Sequence, residues 1–92
     1  MTFIYMVFHW PAAGRREALA ASMAEMRNVL AGRPGLLGVD PPYLTDDGEC
    51  LVGISRWESE AAFRAANFPA RAPDEIVPGE TRPRQRFYLT EV

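Results

Sequence analysis

Residues 2–10, TFIYMVFHW, constrain the fold most. The stretch is rich in β-branched and aromatic residues and stops at Pro11, which predicts a strand. Alternate residues point to opposite faces. Phe3, Tyr5, Val7 and His9 therefore share one face, and Ile4, Met6, Phe8 and Trp10 share the other. Both sets are largely apolar, so this strand must be covered on both sides. LVGISRW at 51–57 reads the same way, with Leu51, Gly53, Ser55 and Trp57 set against Cys50, Val52, Ile54 and Arg56. A chain of 92 residues supplies one domain, residues 1–92, and little material to cover such a sheet twice.

The intervening segments set the order. Leu19, Met23, Met26 and Leu30 recur at helical spacing within residues 14–31, and Gly32 and Pro34 end that helix. Residues 36–45 and 50–57 form a hairpin around Asp47-Gly48, a dipeptide suited to a type I′ turn. Pro41 and Pro42 cannot donate to a ladder, which places the first hairpin strand at a sheet edge or gives it a bulge. Ser59 caps a short helix that ends near Pro69. Residues 69–83 hold four prolines and read as a long loop, and 86–92 reads as a last strand.

The order β-α-β-β-α-β predicts an α+β, ferredoxin-like fold: a four-stranded antiparallel sheet with two helices on one face. The other face would then expose Met6, Phe8, Trp10 and Ile54, more apolar surface than a soluble monomer normally shows. A second copy of the same sheet is the simplest cover, which predicts a homodimer through the open face; the alternative is that the long Pro-rich loop folds under the sheet. Between sheet and helices, Gly53 and Ser55 leave volume unfilled beside Trp57. A cavity walled by aromatics with a few polar groups is the usual form of a small-molecule site.

Composition removes other classes. The formal net charge is -2 and no basic run is present, which argues against nucleic acid. No apolar run reaches the length of a membrane span, and Met1–Trp10 has neither the basic flank nor the cleavage site of a signal peptide, so a cytoplasmic address is expected. Cys50 is the one cysteine, so no internal disulfide or zinc cluster is expected, and nothing nearby suggests a reactive thiol. Asp46, Asp47 and Glu49 read as turn residues rather than metal ligands, leaving no expected metal.

The stretches PGLLGV (34–39) and above all WESEAAF (57–63), following the opening strand and helix, resemble the antibiotic biosynthesis monooxygenase-like family of dimeric α+β barrels. The resemblance covers nearly the whole chain and marks fold better than activity. It implies a cofactor-independent oxygenase acting on a small aromatic or polyketide-type substrate. In such a mechanism an electron-rich phenol or anthrone loses a proton and reduces O2 directly. The family also contains haem degraders with an Asn in the first strand, a Trp closing the third, and a His about ten residues beyond. Those positions are Val7, Trp57 and Asn67 here, so two of three depart, the iron ligand among them, and no cofactor is expected.

Within that frame His9, Tyr88 and Arg86 are the candidate catalytic residues: His9 or Tyr88 for proton transfer and Arg86 for the anion. Tyr5, Gly53, Ser55, Trp57 and Asn67 are the candidate substrate-binding residues, with Trp57 holding the ring. Trp57 at a strand end equally suits a core aromatic, and Arg56 equally suits an ion pair across a dimer. Two other readings stay open: a non-catalytic small-molecule-binding or stress-related dimer, and an isomerase or decarboxylase.

Overall fold

In the computed structural model, which describes residues 1–68 and 71–92, the segments become β1 (Phe3–His9), α1 (Arg16–Leu30), β2 (Leu36–Val39), β3 (Tyr43–Leu44), β4 (Leu51–Trp57), α2 (Glu60–Ala65) and β5 (Gln85–Thr90). The antiparallel sheet runs β2-β4-β1-β5, and β3 also pairs with β4. This is the α+β arrangement expected, with one refinement. The hairpin strand expected over 36–45 is two pieces, making five strands rather than four, because Pro41 and Pro42 interrupt the ladder between β2 and β3. The interruption lies at the sheet edge, where it leaves few central hydrogen bonds unmade. Pro69, where the second helix was expected to end, lies outside the described residues.

The Asp47-Gly48 hairpin forms, but not through a type I′ turn. Gly48 adopts a φ of +75° while Asp47 stays out of the left-handed region. Gly48 N–H donates to Thr45 O, and Thr45 N–H to Cys50 O, each at 2.9 Å. Side chains favour this longer loop: Cys50 N–H donates to Thr45 Oγ1 at 3.1 Å, and Asp47 Oδ1 accepts from Glu49 N–H at 2.9 Å. Asp47 is thereby used by the turn itself.

Register assigns the faces. Phe3 lies opposite Trp57, Tyr5 opposite Ser55 and Tyr88, Val7 opposite Gly53 and Arg86, and His9 opposite Leu51. This face meets the helices. Phe3, Leu30, Trp57, Phe63 and Ala66 form its buried cluster, with Tyr5, Leu36, Val39, Ala62 and Phe68 packed around it. Ser59 Oγ caps α2 by accepting Ala62 N–H at 3.1 Å. Gly35, at φ +80°, lets the turn before β2 lie against α2; a Cβ there would stand 2.5 Å from that of Ala62.

Ile4, Met6, Phe8 and Ile54 occupy the other face and remain half-exposed. Phe87 and Leu89 extend it at 38% and 41% exposure. Arg56 stands on this side and pairs within the chain, donating from Nε and Nη2 to Asp40 at 3.2 and 3.1 Å.

The Pro-rich segment returns to the end of β1. Pro11 bridges Glu80, Thr81 N–H donates to Trp10 O at 2.8 Å, and Ala12 N–H donates to Gly79 O at 2.9 Å. Those bonds deliver Glu80 and Arg84 to the helix-side face beside His9. Among the described residues no helix is long and apolar enough to cross a membrane.

Candidate functional site

Small side chains at Gly53 and Ser55 leave a hollow where α1 crosses the sheet. The cavity, about 130 Å³, has Tyr5, Val7, His9, Gly53 and Ser55 as its floor and Met23, Met26 and Leu30 as its roof. Phe68 and Arg84 also line it, as do Val39, Asp40 and Pro42 on the β2 side. Gly53 is what admits the space: a Cβ on it would stand 3.2 Å from Met23 Cε and 3.9 Å from His9 Nε2. His9 therefore turns its Nε2 edge toward the hollow.

The opposite edge of the ring faces a carboxylate. His9 Nδ1 lies 3.6 Å from Glu80 Oε1, and the Glu80 side chain is only 2% exposed. Arg84 clamps Glu80 from Nε, 3.1 Å from both oxygens, and from Nη2, 2.7 Å from Oε2. Burial pushes the His9 pKa down to about 4, and the Arg84 and Arg86 guanidinium groups push the same way, opposed by Glu80. His9 is thus a neutral imidazole through the physiological range, a hydrogen-bonding group rather than a standing charge.

A second, more open cleft of about 340 Å³ lies between α2 and β5. It collects Tyr88, Arg86 and Asn67, with Phe63 and Arg64. Tyr5 and Phe68 line both spaces, so their rings, 5.4 Å apart between centroids, form the partition. Burial raises the Tyr5 pKa above the ordinary phenol range while neighbouring Arg86 pulls it back, leaving Tyr5 a hydroxyl at neutral pH.

The eight residues singled out in the sequence therefore fall into three places. His9, Tyr5, Gly53 and Ser55 meet at the cavity. Tyr88, Arg86 and Asn67 lie across the partition with the other edge of Tyr5. Trp57 lines neither space: it is wholly buried, packs edge-on against Phe63 and Phe68, and donates from Nε1 to Ser55 Oγ at 2.9 Å. From there it fixes the Ser55 hydroxyl rather than touching the hollow. Asn67 holds a φ of +55°, a backbone state Asn tolerates better than most residues.

Glu80 and Arg84 were not singled out. Their E-x-x-x-R spacing lies in a Pro-rich segment without periodicity, and only the long-range bonds to Trp10 and Ala12 bring them to His9. Cys50 is buried and its thiol is pushed up by desolvation, which keeps it protonated. A larger surface depression of about 540 Å³ near Trp10 is rimmed by exposed Arg16, Glu17, Glu49 and Arg82, whose charges are solvated.

Compared with curated proteins, the chain has no significant match. Among solved structures it is similar to the Rv0793 protein of Mycobacterium tuberculosis, with a TM-score of 0.77 at 20% identity over 100% of this chain and 96% of that one. It is also similar to MhuD, a haem degrader of the same organism (TM-score 0.73, 24% identity, 98% and 95% of the two chains). A third likeness is to the Streptomyces coelicolor monooxygenase ActVA-Orf6, crystallised with nanaomycin D (TM-score 0.68, 19% identity, 98% and 87%). At such identities these likenesses establish the fold. The sequence over residues 2–67 matches the model of the antibiotic biosynthesis monooxygenase family, and the chain belongs to that family.

Proposed function

We propose that the protein is a cofactor-independent monooxygenase acting on a small aromatic substrate, a single-ring hydroquinone or related phenol. The observation that carries this reading is the cavity of about 130 Å³, apolar on the α1 side, with His9 Nε2 and Tyr5 on the sheet side. Apolar cavities of about 150 Å³ accept one benzene ring. A polycyclic polyketide-type substrate would need the Tyr5–Phe68 partition to open and join the second cleft. Haem does not fit the residues present: Val7 and Asn67 stand where the family's haem degraders carry Asn and His, and the hollow holds one ring rather than a porphyrin.

The chemistry needs no reductant besides the substrate. A hydroquinone hydroxyl donates to His9 Nε2; as electrons pass from the ring to O2, that proton moves through His9 to the reduced oxygen and ends in the water formed, so no imidazolium has to persist. One oxygen atom replaces a ring hydrogen and the other leaves as water, so hydroquinone and O2 give hydroxybenzoquinone and water, with four electrons drawn from the ring. Tyr5, kept protonated by burial, supplies a hydroxyl at the partition. Arg86 on its far side favours negative charge. Ser55, fixed by Trp57, contributes a second oriented hydroxyl.

Function as a homodimer is part of the same reading. Ile4, Met6, Phe8, Ile54, Phe87 and Leu89 make the face away from the helices apolar, and a second sheet would cover it. The test is oxygen uptake with methylhydroquinone and chelator-treated protein, no flavin added, compared with His9→Gln. Uptake above autoxidation that collapses in the variant supports the enzyme reading. Saturable binding without uptake favours the non-catalytic binding dimer, and conversion under nitrogen favours an isomerase or decarboxylase.

A further inference from the structure

We infer that Glu80 is a positioning residue: its buried carboxylate, clamped by Arg84, holds the His9 proton on Nδ1 and leaves Nε2 as a bare acceptor aimed into the cavity. The cavity would then take its ligand as a neutral hydroxyl donor, not as an anion. This deepens the reading above, since it assumes that the same hollow is the binding site.

Three observations converge on the tautomer. Nδ1 is fully buried and makes no hydrogen bond among the described residues. The acceptor it faces is Glu80 Oε1 at 3.6 Å. A lone pair on Nδ1 would be set against the lone pairs of a carboxylate, whereas a proton there is attracted to it; catalytic pairs of this kind often stand slightly long before a ligand arrives. The carboxylate itself is held in place, because Arg84 binds both of its oxygens. Arg84 thereby commits Nε and Nη2 to Glu80 rather than to a ligand. Among the other groups, β4 presents Gly53 and α1 presents Met23, Asp40 also lines the hollow as a carboxylate unfavourable to an anion, and Arg86 of β5, felt at His9 from the second cleft beyond Tyr5, is the cation that works the other way.

His9 is the only histidine, so its two ring nitrogens give one unambiguous pair of signals in a long-range proton–nitrogen correlation spectrum. Wild-type protein at pH 7 is expected to show a proton-bearing Nδ1 and an unprotonated Nε2. Glu80→Gln should shift the ring toward the Nε2–H form that free imidazole side chains prefer. An Nε2–H tautomer in the wild type overturns the inference, whether or not the variant folds. Titration with phenol should move the Nε2 signal, and anisole, its methyl ether, should bind at least tenfold more weakly. Anisole binding equal to phenol, or benzoate binding tighter than phenol, also overturns it. None of these readouts requires turnover. Absent oxygen uptake would therefore refute the enzyme reading while leaving the tautomer standing, whereas a wrong tautomer would refute this inference and the acceptor role of His9 while leaving any oxygen uptake standing.

Discussion

Acidification should weaken the protein through one residue. His9 titrates at about 4 in the fold against an ordinary value of 6.5, because burial disfavours the imidazolium. Between those values the unfolded chain binds a proton that the folded chain refuses. Stability is therefore intact above about pH 6.5, falls as pH drops through the window, and levels off below about 4. At about 1.4 kcal/mol per unit the loss is roughly 3 kcal/mol. Domains of this size have only about 5–15 kcal/mol in all, so the effect should be plain. Urea denaturation followed by the fluorescence of buried Trp57, at fixed protein concentration, measures it. The useful quantity is the difference between wild type and His9→Gln, which cancels most other titrations. That difference should shrink by about 3 kcal/mol between pH 7.5 and pH 4. Parallel curves would refute the reasoning: His9 would then be solvated rather than buried in the floor of the hollow.

Other outcomes follow from the same geometry. Gly53→Ala places a methyl group between Met23 and His9, so phenol binding should drop several-fold in a calorimetric titration while stability holds or rises by about 0.5–1 kcal/mol. Ser59→Ala removes the α2 cap and should cost about 1 kcal/mol in chemical denaturation with no change in the His9 signals. Met6→Glu places a charge on the open sheet face; sedimentation should show a monomer or aggregate, and an unchanged dimer would put the interface elsewhere.

Much of the architecture could be read from residue patterns, because it follows from local rules. The two-sided strands, the edge position forced by Pro41 and Pro42, and the Ser59 cap each depend on neighbours within a few residues. The hairpin was readable in place but not in kind. Asp47-Gly48 suits a type I′ turn and a longer loop with one left-handed glycine equally, and Thr45 and Asp47 side-chain bonds decide between them. The hollow at Gly53 and Ser55 was legible because small residues stand there between bulky ones on one face. Whether Trp57 meets that hollow or the core was not, since strand parity gives a face and not a neighbour; the tertiary course of α2 decides it, bringing Phe63 and Phe68 back over the ring. The Glu80–Arg84 clamp was illegible for the same reason. It is assembled by a Pro-rich segment whose position depends on backbone bonds to the end of β1.

The fate of labelled oxygen distinguishes a cofactor-free monooxygenase from every other reading of the site. Purified, chelator-treated protein is given methylhydroquinone under 18O2, and the quinone product is weighed by mass spectrometry against a His9→Gln control. A hydroxylated quinone carrying one 18O atom is expected, formed faster with wild-type protein than with the variant. Product without 18O, or the same labelled product at the same rate with His9→Gln, would contradict the monooxygenase reading.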